Sequence, residues 1–156
     1  MKRENYISWD DLYINIAELT SKRSKDPRSQ HGACIVDQQN HIVSIGYNGM
    51  PNGCSDDDFS WDRGEKDNFV IHAEVNAILN ANIKLDNCKL YLYSERGYYP
   101  CYECAKVIVQ SGIKEVILKY IDNDPYMKDK YKGEATLKMF NAAGVKIRVL
   151  KDIINE

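Results

Sequence analysis

His72-Ala73-Glu74 and Pro100-Cys101-Tyr102-Glu103-Cys104 contain an imidazole, two thiols and a free carboxylate, the parts of a catalytic zinc site. Zinc takes nitrogen and sulfur ligands in a tetrahedron, and its catalytic sites use three protein ligands and leave the fourth position to water. His72, Cys101 and Cys104 supply three. The two cysteines stand three residues apart, so on the first turn of a helix they share a face. Pro100 suits a helix start, where its missing N–H costs nothing, and the positive end of the helix dipole favours their thiolate form. Glu74, two residues from His72, does not stand over that ligand on a helix. It is left free to take a proton from the water that zinc acidifies and to deliver it to a leaving group. The plain alternative is a structural zinc site with a fourth protein ligand from Cys54, Cys88, His31 or His41. The positions of Glu74 and Pro100 favour catalysis.

Helices and strands must hold these side chains together. Ser8-Trp9-Asp10-Asp11 has the form of a capping box, and Trp9, Leu12, Tyr13, Ile16, Ala17 and Leu19 follow at helical spacing, which predicts a first amphipathic helix that stops before Pro27. Ala33–Asp37 and Ile42–Tyr47, parted by a polar stretch, predict an antiparallel hairpin. Residues 48–68 turn to Gly, Pro, Asn, Ser and Asp and read as a long loop, a kind usually functional inside a compact domain. Three helix–strand units follow: a helix over about 71–82 with strand 89–93, a helix over 101–111 with strand 115–120, and a helix over 135–143 with strand 145–150. Gly112 and Gly144 fall where helix C-caps need positive φ. The expected fold is α/β, a three-layer α/β/α sandwich around a five-stranded mixed sheet. The last two strands run parallel because a crossover helix joins them. Both helix starts then meet at one edge of the sheet.

The 156 residues suit a single domain over 1–156, and 44% hydrophobic with 28% charged residues is ordinary for a globular protein. A net charge of −2 and the tail Asp152-Ile153-Ile154-Asn155-Glu156 argue against a polymeric nucleic-acid partner. No apolar run reaches the ~20 residues of a membrane helix, and the N-terminus has no signal-peptide core. Five cysteines, an odd number without a secretory signal, do not form a disulfide framework and fit a reducing cytoplasm. Cys34 and Cys88 read as small buried hydrophobes.

H-x-E followed by P-C-x-x-C is the signature of the zinc nucleobase deaminases. Over nearly its whole length the chain resembles the deoxycytidylate deaminases of the cytidine/deoxycytidylate deaminase superfamily. The resemblance is carried by Arg23–Pro27, Gln30 with Gly32–Val36, Gly46–Asp57, Asn76-Ala77-Ile78 after the first zinc motif, Glu103-Cys104-Ala105-Lys106 and Ser111–Val116. The Gly46–Asp57 run separates it from tRNA adenosine deaminases and free-cytidine deaminases, which share only the zinc motifs. The resemblance implies hydrolysis of dCMP to dUMP, which feeds thymidylate and dTTP synthesis, on a catalytic Zn2+. It implies a cytidine deaminase-like fold, a cytoplasmic homo-oligomer (a hexamer or dimer-based), the host cytoplasm if viral, and control by dCTP as activator and dTTP as inhibitor. In those roles Asn48 meets a sugar hydroxyl or base edge, the Ala73 backbone donates to the pyrimidine carbonyl, and Arg23, Ser24 and Lys25 hold the phosphate. Asn52, Gly53, Cys54, Asp56 and Asp57 form the regulatory site, whose carboxylates help hold the Mg2+ of a bound triphosphate. The chain departs from the family pattern at His31, at Ser94–Tyr99 and at Lys119–Asp124. These departures flank the ligand mouth and leave open a bifunctional dCMP/dCTP deaminase; a non-catalytic zinc- and nucleotide-binding module, with a fourth protein ligand on the metal, is the alternative of another class.

Overall fold

The computed structural model describes residues 1–95, 99–120 and 133–151, with Tyr120 and Lys151 placed by backbone alone. Helix α1 spans Trp9–Ser21 and starts as its capping box requires, with the Ser8 hydroxyl oxygen accepting from the Asp11 N–H at 3.0 Å. Strands β1 (His31–Val36) and β2 (Ile42–Tyr47) form the expected hairpin. The Asp37 carboxylate closes its turn by accepting from the N–H groups of Gln39 and His41. The long loop after β2 contains one short 3-10 turn, Lys66–Asn68. Then come α2 (Ala73–Asn80), β3 (Lys89–Ser94), α3 (Tyr102–Ser111), β4 (Glu115–Tyr120), α4 (Gly133–Ala143) and β5 (Lys146–Lys151). Helix α2 is two residues shorter at each end than 71–82 because His72 and Ala81 are extended, with ψ of 154° and 134°. Gly112 and Gly144 have φ of 90° and 72°, the left-handed backbone that ends a helix without a Cβ penalty.

The sheet order is β2-β1-β3-β4-β5. Strand β1 runs antiparallel to both neighbours, and β3, β4 and β5 run parallel, so the last two strands pair as expected. Successive side chains point to opposite faces. Among the described residues, helix α1 alone covers one face, where Tyr13, Ile14 and Ala17 pack on Cys34, Val36, Tyr91, Tyr93 and Ile117. Helices α2, α3 and α4 cover the other, where Ala77, Ala105, Ile108 and Phe140 meet Ala33, Ile35, Leu90, Leu92, Val116 and Leu118. Burial on both faces explains why these strands read as nearly continuous apolar runs. Two glycines seat the helices directly on the hairpin: a Cβ on Gly32 would lie 1.9 Å from the Ala17 carbonyl oxygen in α1, and one on Gly46 2.4 Å from the Ala77 nitrogen in α2.

The carboxyl ends of β2 and β3 share an edge with the start of β1. Helices α2 and α3 begin on this side, the edge at which open α/β sheets bind ligands. Cys34 and Cys88 are buried and all five cysteines are free thiols. Among the described residues no helix is long and apolar enough to cross a membrane. Of the stretches singled out in the sequence, residues 96–98, 121–124 and 152–156 lie outside the described residues.

Candidate functional site

His72 and Cys101 occupy equivalent places. Each is the extended N-cap of its helix, His72 for α2 and Cys101 for α3, and Cys104 follows on the first turn of α3. The Cys101 sulfur accepts from the Cys104 N–H at 3.4 Å. His72 Nδ1 lies 3.2 Å from Cys104 Sγ and 3.5 Å from Cys101 Sγ, and the three ligand atoms lie within 4.8 Å of one another. Bonds of about 2.3 Å to sulfur and about 2.0 Å to nitrogen around a tetrahedral zinc place ligand atoms roughly 3.5 Å apart, so this donor set fits zinc. Pro100 stands one position further out than a first helical residue, because Cys101 takes the cap. The Pro100 carbonyl accepts from the Thr136 hydroxyl of α4 at 2.9 Å, which pins the turn that presents Cys101.

Among the described residues no fourth histidine, cysteine or carboxylate joins the cluster. Cys88 is buried where β3 begins, His41 sits in the hairpin turn against Asp37, and Cys54 lines a different cavity. In the metal-free site the Cys101 thiol is held down to about 4, first by its hydrogen bond with Cys104 and then by His72, against the opposing effect of burial. His72 is raised to about 9, chiefly by its hydrogen bond with Cys101 and with help from the Glu74 charge. Cys104 is pushed far up by the same bond with Cys101 and by burial. The thiols and the imidazole thus share protons that a bound metal would displace. Glu74 is buried in the first turn of α2, and burial raises its carboxyl above the ordinary value, opposed by the His72 charge. A buried carboxyl with raised pKa beside a metal-ligand cluster is suited to carrying protons.

His72, Ala73, Glu74 and Cys101 form one wall of a cavity of about 440 Å³, joined by Leu92 and Tyr99. Ala73 lines the cavity at the start of α2, where the His72 side chain makes no capping hydrogen bond. Asn48 also lines the cavity, but its amide already braces the start of β1. Its Oδ1 accepts from the His31 N–H at 2.8 Å, and its Nδ2 donates to the Ser29 carbonyl at 3.0 Å and to Asp26 at 3.5 Å.

Arg23 and Lys25 are not among the residues that line this cavity. They line a second one of about 620 Å³, together with Asn52, Gly53, Cys54 and Asp56, and Lys25 is ion-paired to Asp56. The turn after α1 sends neighbouring residues to opposite sides, Lys25 to the second cavity and Asp26 to the first. Ser24 braces the same turn by donating to the Asn48 carbonyl at 2.8 Å. Asp57 is exposed and lines neither cavity.

The cations on the cavity of His72 and Glu74 are Arg28, Arg63 and Lys66, which the sequence reading did not single out. Lys66 and Asp26 form a buried ion pair, with side chains 7% and 2% exposed. Asp26 also accepts from the N–H groups of Arg28 at 2.9 Å and Ser29 at 3.2 Å. Burial raises its pKa, but the Lys66 bond and these N–H groups outweigh it and hold the carboxyl below the usual range. The one available signal was the Asp-Pro-Arg-Ser turn sequence, in which an Asx-type aspartate orders the residues after it.

Residues 7–120 match the family described as the cytidine and deoxycytidylate deaminase zinc-binding region. The deoxycytidylate deaminase of Homo sapiens is 47% identical over 94% of this chain and 82% of its own length. The probable deoxycytidylate deaminase of Drosophila melanogaster is 43% identical over 94% of this chain and 74% of its own. The crystal structure of the dCMP deaminase from the cyanophage S-TIM5, in complex with dCMP and dUMP, superposes with a TM-score of 0.67 at 26% identity, covering 93% of this chain and 100% of that one.

Proposed function

This chain belongs to the cytidine and deoxycytidylate deaminase family, and we propose that it hydrolyses dCMP to dUMP and ammonia, with zinc held by His72, Cys101 and Cys104 and protons carried by Glu74. The observation that carries this reading is the convergence of the three ligand atoms beside a buried carboxyl on one cavity wall. Zinc in such a site supplies a nucleophile from water at neutral pH. Glu74 takes the proton released from that water and passes it to the ring nitrogen N3. The oxygen bonds to C4, Glu74 takes the second proton of the former water and delivers it to the exocyclic amine, and the C4–N4 bond breaks as the C4 carbonyl forms, so that ammonia leaves. Burial raises the Glu74 carboxyl above its ordinary value, which favours its taking up the proton that it later delivers. In this reading the Ala73 N–H donates to the pyrimidine 2-carbonyl. Asn48 shapes the cavity through its backbone braces and offers the remaining lone pair of its Oδ1 to the nucleotide.

The second cavity is the proposed regulatory site, where dCTP activates and dTTP inhibits. Arg23 and Lys25 supply cations for a triphosphate, and Asn52, Gly53 and Cys54 supply its wall. Mg2+ arrives with the triphosphate, because Asp56 is engaged by Lys25 and Asp57 stands apart. Leu19 and Ile45, both exposed beside this cavity, support burial of the same surface in a homo-oligomer. The dUMP formed is a precursor for dTTP, and the free thiols favour the cytoplasm, of the host if the source is viral.

Zinc-loaded protein mixed with dCMP and followed by ultraviolet absorbance tests the reading. Conversion to dUMP, faster with dCTP and slower with dTTP, supports it, and no turnover with zinc bound and dCTP–Mg2+ supplied overturns it. A comparable kcat/KM for dCTP would favour the bifunctional enzyme instead.

A further inference from the structure

We propose that the buried Asp26–Lys66 pair is a positioning element that holds Arg28 and Arg63 on the cavity of His72 and Glu74 as a two-guanidinium clamp for the phosphate of a nucleoside monophosphate. The inference deepens the deaminase reading and rests on it for the identity of the nucleoside. Lys66 and Asp26 are too buried to serve as solvated surface charges, and burying two charges is justified only by a tightly fixed, fully bonded geometry. Each partner anchors a segment that carries one arginine. On one side, Asp26 accepts the N–H groups of Arg28 and Ser29 and the Asn48 amide, so the Arg28 backbone is tied to the end of β2. On the other, the Lys66 N–H donates to the Asp62 carbonyl at 3.1 Å, closing a turn around Arg63, and the Lys66 carbonyl accepts from Phe69 and Val70 at 2.9 Å on the approach to His72. The Phe59 and Phe69 rings, 5.0 Å apart, brace the same loop.

Arg28 and Arg63 line the cavity, and neither guanidinium makes a hydrogen bond or ion pair among the described residues. Asp26 does not neutralise them, because Lys66 already satisfies it. Glu74 and Asp67, the other acidic residues on this cavity, both add to the upward shift of His72. Two unpaired guanidiniums on a concave surface suit a dianionic phosphate, which they can bind in bidentate fashion. Lys25, the neighbour of Asp26, is committed to Asp56 on the second cavity and takes no part.

The test measures equilibrium binding of dUMP and deoxyuridine to the zinc-loaded protein, together with kcat and KM for dCMP. The wild type is expected to bind dUMP at least about tenfold more tightly than deoxyuridine. Arg28→Ala and Arg63→Ala should each erode that ratio. Lys66→Met alone leaves Asp26 buried without a counter-charge and risks failing to fold. The pair is therefore tested by the double variant Asp26→Asn/Lys66→Met, in which the introduced amide oxygen still accepts from the Arg28 and Ser29 N–H groups. This double variant should raise the dCMP KM by about tenfold or more with kcat little changed and deoxyuridine binding retained, whereas Lys66→Arg, which keeps the ion pair, should leave the KM near the wild-type value. An equal loss of dUMP and deoxyuridine binding, or a fall in kcat at constant KM, would overturn the positioning role. Equal wild-type affinities for dUMP and deoxyuridine alongside normal dCMP turnover would overturn the clamp and leave the deaminase reading standing. Preferential dUMP binding without dCMP turnover would do the reverse.

Discussion

Gly46→Ala tests the link between packing and chemistry. Gly46 lies in β2 under the first turns of α2, and its added Cβ would sit 2.4 Å from the Ala77 nitrogen, 2.6 Å from the Ala73 carbonyl oxygen and 2.9 Å from the Ala77 Cα. All three are backbone atoms, so no rotamer change relieves them. Opening the shortest approach to an ordinary contact near 3.4 Å requires α2 and the sheet to part by about 1 Å. Overpacking of this kind costs about 1–3 kcal/mol, which for a chain of this size lowers Tm by roughly 3–10 °C. The helix that moves carries His72 at its cap and Glu74 in its first turn, and a misplacement of about 1 Å costs up to ~100-fold in rate. Calorimetry on the zinc-loaded variant should therefore show the Tm drop, and the ultraviolet assay should show kcat/KM for dCMP reduced by about 10- to 100-fold. Gly49→Ala is the control, since its Cβ meets only the Tyr47 ring at 3.5 Å, and its Tm should stay close to wild type. A Gly46→Ala variant with unchanged Tm and unchanged turnover would refute the argument that α2 is seated by backbone contact on β2.

Thr136→Val deletes the buried hydroxyl that bonds the Pro100 carbonyl and should cost about 1–2 kcal/mol in urea unfolding; an unchanged midpoint would show that α4 does not fasten the Cys101 turn. Asp10 is held below the usual carboxylate range, first by its hydrogen bonds from Arg148, with Tyr91 contributing, although burial opposes them. Its stabilising contribution is thus present above the unfolded value of about 4 and lost as pH falls through the depressed folded value. Asp10→Asn should lower Tm at pH 7 and converge with wild type in acid, and a gap independent of pH would contradict this sign. In metal-stripped protein near pH 6, iodoacetamide should label Cys101 first, because its thiol is held near 4, while burial keeps Cys34 at about 12 and unreactive. Zinc should protect Cys101, and mass-spectrometric labelling of Cys34 in step with it would count against the assignment.

The three-layer fold was legible because both sheet faces are buried, so each strand is a compact apolar run and each helix shows one apolar stripe. Helix ends were less so. His72 and Cys101 read as first-turn residues but are caps with extended backbone, and at Cys101 the turn is fastened by the Thr136–Pro100 bond, which links residues far apart in sequence. The zinc ligands and Glu74 stood out through residue type and spacing alone. The cations that line the same cavity, Arg28, Arg63 and Lys66, did not. Arg23 and Lys25 form the more conspicuous cation pair, yet a tight turn sends Lys25 one way and Asp26 the other, and periodicity carries no information in a turn. Lys66 lies in a polar loop of the composition that usually means solvation; only the tertiary pairing with Asp26, 40 residues away in sequence, makes it a buried charge.

The central claim is that Glu74 moves the protons of a hydrolysis carried out beside zinc held by His72, Cys101 and Cys104. Glu74→Gln keeps the side-chain shape and removes the titratable carboxyl, so the decisive measurement is dCMP turnover and zinc content on the same sample. The account predicts zinc bound as in the wild type with kcat lower by about 10²- to 10⁴-fold. A zinc-loaded Glu74→Gln protein that deaminates dCMP at the wild-type rate would contradict it.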